Sequence, residues 1–129
     1  NIMTIKSSQT LVSEALKTIK TITPDEALEL LNKDKCNLID IRDIRELQKL
    51  GKIEKAQHMP RGMLEFWLDP DSPYSKEVDY NKEIVLFCAG GLRSALATKS
   101  LNEMGFKNVS HIDGGFEAMK AKGFKINQS

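Results

Sequence analysis

Residues 84–98 read IVLFCAGGLRSALAT, and the seven from Cys88 to Ser94 bring together groups that could do chemistry. A thiol closes an apolar run, two glycines follow it, and an arginine and a serine stand where a helical pattern begins. A strand, a cysteine and a glycine pair would by themselves fit a packed thiol beside a tight turn. Arg93 and Ser94 at the helix start add the second reading, an anion cradle beside a nucleophile. Gly90 and Gly91 let the backbone take positive φ and bring peptide N–H groups close to whatever occupies the loop. A helix beginning near Leu92 aims its unpaired N–H groups and the positive end of its dipole at the same point. A helix N-terminus and a nearby arginine favour the thiolate over the thiol. A thiolate beside ready N–H donors can attack electrophilic sulfur or phosphorus and hold the anionic product. Arg93 either binds an incoming oxyanion or fixes the loop from behind.

These residues need a frame, and the flanking pattern supplies one. CNLIDI (36–41) and IVLFC (84–88) are nearly unbroken apolar runs, as in strands buried on both faces of a parallel sheet. Shorter strands are expected around Ile22, in AQHMP up to Pro60, and in NVSHID. Between them lie helical patterns. In SQTLVSEALKTIK, Leu11, Val12, Ala15, Leu16 and Ile19 form one stripe. In TITPDEALELLN, Thr23 is the N-cap, Pro24 the first helical residue and Glu26 the partner of a capping box, with Ala27, Leu28 and Leu31 facing inward. RDIRELQKLG is a short helix closed by Gly51, and GMLEFW a helical turn ended by DPDSP. A looser stretch then runs to about Glu83. GLRSALATKSLNEMG is a helix ended by Gly105 with Ala97, Leu101 and Met104 on one side, and GGFEAMKAKG is the last helix. Strands that alternate with helices predict an α/β fold, a mostly parallel sheet with helices on both faces in three layers. In such a sheet the ligand site lies beyond the carboxyl ends of the strands, where Asp40 to Arg42 and Cys88 to Ser94 can meet.

The chain has 129 residues, suiting one domain, with 40% apolar and 29% charged residues and a formal charge of +1. Nothing in that balance favours nucleic acid or a membrane. No apolar run reaches a transmembrane length, and there is no secretory signal pattern. Cytoplasmic residence is the default, with a periplasmic origin the alternative if a leader preceded Asn1. Cys36 and Cys88 are read as packed and reactive respectively, not as a disulfide.

The signatures together are similar to those of the rhodanese family, sulfurtransferases that carry sulfane sulfur on a cysteine. CAGGLRS resembles the family's active-site loop, LIDIRDIREL its first signature with Asp40, Arg42 and Glu46 at the expected spacing, and HIDGGFEAMKAKGF its closing signature, where Gly114 and Gly115 open the last helix. The resemblance spans residues 21–126, leaving 1–20 as an amphipathic N-terminal extension. It implies Cys88 as the persulfide-forming nucleophile, the amides of Ala89, Gly90, Gly91, Leu92, Arg93 and Ser94 as the cradle, Arg93 as its charged contributor, and Asp40 and Arg42 as supports. Two departures are visible. GKIEKAQHMP keeps Gly51, Ile53, Ala56 and Pro60 without the family's usual His and early Pro, and Met119 stands where Trp is usual. Both touch packing and surface rather than the loop.

The implied reaction is ping-pong transfer from a donor such as thiosulfate to cyanide or a thiol, including a protein thiol, without metal or organic cofactor. Four residues separate Cys88 from Arg93, whereas the related cell-cycle dual-specificity phosphatases carry five, and the shorter loop favours sulfur over phosphate. The alternatives are that phosphatase and a non-catalytic binding module, against which the presence of Cys88 counts. The N-terminal stripe would serve the core of a monomer or a contact in a homodimer. Elsewhere, Arg42 and Glu46 are spaced for an i, i+4 pair, Asp40 is either a turn residue or a brace, and Arg61 is read as solvated. His58 and His111 are read as structural or surface residues, and Phe66 and Trp67 as packing the short helix.

Overall fold

The computed structural model describes residues 4–128, and residues 1–3 of the expected N-terminal extension lie outside them. The elements run α1 (Ser8–Leu16), β1 (Lys20–Ile22), α2 (Pro24–Asn32), β2 (Cys36–Asp40), α3 (Ile44–Leu50), β3 (Lys52–Ile53), β4 (Gln57–His58), a 3-10 turn Arg61–Met63 leading into α4 (Leu64–Leu68), β5 (Glu83–Phe87), α5 (Leu92–Met104), β6 (Val109–Ile112), α6 (Gly115–Lys120) and β7 (Ile126–Asn127). Five strands pair in the order β1-β6-β5-β2-β4, every pairing parallel. This is the α/β architecture the alternating pattern predicts. β3 and β7 form a separate antiparallel pair too short to leave a signal in the sequence.

The sheet divides the core as strand alternation requires. Val85 and Phe87 of β5 join Ala27, Ile112, Phe116 and Met119 on the face covered by α2 and α6. Ile84 and Leu86 join Leu64, Leu68, Ala97 and Leu101 on the face covered by α4 and α5, and the same face takes in Cys88. Helix α1 lies outside that layer, where Val12 and Ala15 pack on Ala95 of α5. Its stripe is narrower than expected, because one helix neighbour can bury only one edge of it. Leu11 and Leu16 stay exposed, as does Met104. The expected boundary at residue 20 falls at the start of β1.

Local signals set several element ends. Thr23 and Glu26 form the reciprocal capping box, Thr23 Oγ1 accepting from the Glu26 amide at 3.1 Å and Glu26 Oε1 from the Thr23 amide at 3.0 Å. A second box, Asp43 with Glu46, starts α3 at Ile44, two residues later than the pattern suggests. The AQHMP strand is reduced to Gln57–His58, after which the Met59 amide still reaches Asp40 O at 2.9 Å. Between α4 and β5 neither helix nor strand forms, and the stretch is tied down by Tyr80, which donates to Leu68 O at 2.9 Å and stacks with Phe106. Among the described residues no helix is long and apolar enough to cross a membrane.

Candidate active site

Beyond the carboxyl ends of β2, β5 and β6 the chain leaves the sheet at Ile41, Cys88 and Asp113, and these exits meet. The Ile41 amide donates to Phe87 O at 3.0 Å, and the Asp113 amide to Ile22 O at 2.9 Å. Cys88 therefore starts its loop from a fixed point. Its Sγ accepts from the amides of Gly91 at 3.2 Å and Ser94 at 3.4 Å, and the thiol reaches Ser94 Oγ at 3.5 Å. The residue is 1% exposed, at the floor of the loop.

The loop's shape depends on glycines in a way the sequence expresses only in part. Gly91 is the N-cap of α5 at φ +111°, a conformation that side chains resist. Gly90 has no positive φ, contrary to the expectation for the pair, and it is exposed with open space where a Cβ would stand. Leu92 points outward, 67% exposed. The stricter requirement lies at Gly115, φ +56°, where a Cβ would come within 2.5 Å of Cys88 O and 2.8 Å of the Ala89 carbonyl group. That close approach lets the Phe116 amide donate to Cys88 O at 2.8 Å and the Glu117 amide to Ala89 O at 3.3 Å. The first turn of α6 thus engages the carbonyls of Cys88 and Ala89, while the amides of Gly91 and Ser94 reach the sulfur.

Arg93 forms a bidentate pair with Glu46 of α3, at 2.8 and 2.9 Å, so in this structure it ties the loop to its neighbour. The pair is partly open, with side chains 41% and 27% exposed. Arg93 holds the Glu46 carboxyl below its ordinary pKa, and Glu46 in turn raises the guanidinium. The expected Arg42–Glu46 pair is replaced, because Arg42 turns inward. There Nε and Nη2 clasp the Asp40 carboxylate at 2.8–3.1 Å and Nη2 also donates to Gly51 O at 3.0 Å. Its guanidinium carbon lies 4.0 Å from the centroid of the Phe116 ring, and its Nη1 has no hydrogen-bond partner. Asp40 and Arg42 are both buried. Phe116, whose ring Arg42 faces, is the residue whose amide holds Cys88 O.

His111 is the residue whose place the sequence did not suggest. It is buried at the end of β6, with Nδ1 2.8 Å from Ser94 Oγ and Nε2 3.0 Å from Thr21 Oγ1. Burial pushes its pKa down, against a smaller upward pull from Asp113. A signal existed in retrospect: His111 is one residue before the last inward position of a strand beside β5, on a sheet edge where ligands bind. His58 is structural as read, its Nε2 2.7 Å from Arg42 O. Arg61, its side chain 34% exposed, also pairs with Glu65 at 2.9 Å, and Phe66 is exposed whereas Trp67 is half-buried. Cys36 and Cys88 are both free thiols, and burial pushes the Cys36 thiol up to about 11.

The structure is thus a parallel α/β domain with a cysteine seated at a helix start, its sulfur accepting from two amides and its carbonyl held by a second, glycine-led helix. Comparison gives the class a family: residues 23–122 match the Rhodanese-like domain, and the chain belongs to that family. It is 32% identical over 102 residues to the thiosulfate sulfurtransferase GlpE of Coxiella burnetii, covering 79% of this chain and 88% of that protein. Among solved structures it is similar to the polysulfide-sulfur transferase homodimer of Wolinella succinogenes, at 32% identity and TM-score 0.75 over 94% of this chain and 87% of the other. It also resembles a Rhodopseudomonas palustris protein of unknown function described as a possible tyrosine phosphatase, at 43% identity and TM-score 0.85 over 95% of both chains.

Proposed function

We propose that the protein is a sulfurtransferase that carries sulfane sulfur on Cys88. The observation that supports this most is the seat of Sγ, which receives the Gly91 and Ser94 amides at 3.2 and 3.4 Å at the head of α5. A sulfur held in this way is stabilised as an anion. The Cys88 thiolate attacks the outer sulfur of a donor such as thiosulfate, the donor S–S bond breaks, and sulfite leaves with the bonding pair. The persulfide on Cys88 then carries the negative charge on its terminal sulfur, held by the loop amides. Cyanide or a thiolate then attacks that terminal sulfur, the persulfide bond breaks, and Cys88 returns as thiolate. The residues of this proposed site divide into nucleophile (Cys88), cradle (Ala89 to Ser94), and supports (Asp40 and Arg42 through Phe116, Glu46 through Arg93).

Two features favour a narrow sulfur donor: the burial of Cys88 and the four residues that separate it from Arg93. Phosphate-ester hydrolysis by the same thiolate is the second reading, favoured by the likeness to the possible tyrosine phosphatase. Incubation with thiosulfate followed by intact mass measurement separates them. One added sulfur, removed by cyanide and lacking in Cys88→Ser, is the expected result. Turnover of an aryl phosphate with no sulfur adduct would establish the phosphatase instead, and neither activity would leave a binding module.

A further inference from the structure

Cys88 sits 1% exposed beneath its loop, so a proton leaving Sγ needs a route other than the mouth once a substrate anion fills it. Three side chains from three elements form one. The Cys88 thiol reaches Ser94 Oγ of α5 at 3.5 Å, Ser94 Oγ lies 2.8 Å from His111 Nδ1 of β6, and His111 Nε2 lies 3.0 Å from Thr21 Oγ1 of β1. Thr21 is exposed. The contacts therefore run without a gap from the buried sulfur through the sheet edge to solvent.

We propose that Ser94, His111 and Thr21 are a proton wire that ionises Cys88 and then holds its thiolate. This rests on the reading of Cys88 as the reacting thiolate. In the thiol state the hydrogen bonds run outward: Cys88 Sγ–H to Ser94 Oγ, Ser94 Oγ–H to His111 Nδ1, and His111 Nε2–H to Thr21 Oγ1. Ionisation reverses each of them. The S–H bond breaks as Ser94 gains that proton, Ser94 passes its own to Nδ1, and the Nε2 proton leaves through the Thr21 hydroxyl to water. One proton reaches solvent, one negative charge stays on Sγ, and His111 ends neutral in its other tautomer. Thr21 then donates to Nε2, Nδ1–H to Ser94, and Ser94 Oγ–H to the thiolate. The Gly91 carbonyl, 3.2 Å from Ser94 Oγ, competes for that last proton and is the weaker acceptor once Sγ is charged.

The chain works only with a neutral imidazole. Burial lowers the pKa of His111, and Asp113 beyond the same strand is the charged group that pulls the other way. The side chains that meet its ring nitrogens from α5 and β1 are uncharged hydroxyls, and Lys20 of β1 is engaged by Glu83 at 2.7 Å. Beyond β5 the titratable group is Cys88 itself, one hydroxyl away. His111 and Thr21 are positioning residues that act through Ser94.

The distal link gives the cleanest test, because Thr21 is at the surface and two residues removed from the sulfur. The probe is iodoacetamide, which needs no sulfur donor, and the measurement is the rate of Cys88 alkylation from pH 6 to 10. Thr21→Val is expected to slow alkylation about fivefold near pH 7, the worth of one hydrogen bond. It should match the wild type at pH 10, and Thr21→Ser should restore the neutral rate. His111→Asn should show the same pH-selective loss. A Thr21→Val profile equal to the wild type, or slowed equally at every pH, overturns the wire. Persulfide formation with an unmoved alkylation profile sinks this inference alone, whereas a moved profile without persulfide sinks only the sulfur-transfer reading.

Discussion

Arg93 carries two chemical possibilities, and its partner separates them. Glu46 accepts both guanidinium nitrogens while its Oε2 also accepts the Asp43 amide that starts α3. Glu46→Gln keeps an oxygen for that amide but removes the charge, so stability should stay within about 1 kcal/mol, as for other partly exposed pairs. If the pair fixes the loop, kcat/KM for sulfur transfer falls about tenfold, a loss of about 1.4 kcal/mol in transition-state stabilisation. A lower KM for an anionic donor would instead show that Arg93 serves better when free to meet the oxyanion. The two thiols sit in different surroundings, Cys88 Sγ receiving the Gly91 and Ser94 amides and Cys36 lying buried at the start of β2. Burial holds the Cys36 thiol up at about 11, so near pH 8 it stays protonated and unreactive. One equivalent of iodoacetamide should therefore label Cys88, and peptide mapping that found the label on Cys36 would contradict this assignment.

Among the elements, α6 does more for the site than its length suggests. Its opening Gly115 must sit against the backbone of Cys88 and Ala89, where any Cβ would collide at 2.5–2.8 Å and the φ of +56° is already unfavourable to side chains. Gly115→Ala is expected to destabilise the fold by about 2–4 kcal/mol, or to keep the fold by pushing the loop off α6. In either case transfer activity is lost, and full activity with an unchanged melting temperature would refute the contact. This explains how much was readable in the sequence. CNLIDI and IVLFC announced their strands because both faces are buried, and Thr23 with Glu26 announced a helix start through a local hydrogen-bond pattern. The role of Gly115 rests on contact with residues 26 and 27 positions earlier in the chain, which no local pattern encodes. For the same reason Arg42 looked like a surface partner of Glu46, although Asp40, Gly51 and Phe116 draw it inside. Gly90 and Gly91 looked equivalent side by side, yet only Gly91 takes the left-handed turn.

At the scale of the whole molecule, the arrangement that seats the cysteine also sets how stability follows pH. His111 is buried with its pKa below the ordinary 6.5. Above 6.5 the imidazole is neutral in folded and unfolded chains alike, so it contributes no pH dependence. Below 6.5 the unfolded chain takes up a proton that the folded one resists, and stability falls as pH falls. The carboxylates of Glu26, Glu29, Asp43, Glu46 and Glu65 are all held below their ordinary values. They contribute stability above those values and lose it only under more acidic conditions, Asp43 down to about 2. The two effects therefore occupy separate windows. Urea denaturation should show a decline between pH 6.5 and 5 with a slope of at most about 1.4 kcal/mol per pH unit, the limit for one proton. His111→Asn should flatten that decline while leaving the steeper acid loss below pH 4.5 in place. An unchanged slope in the variant would mean that His111 takes up its proton as easily folded as unfolded. The imidazole could then not stay neutral between Ser94 and Thr21 in mildly acidic conditions, and the stability of the fold and the ionisation of its thiol would be separate properties.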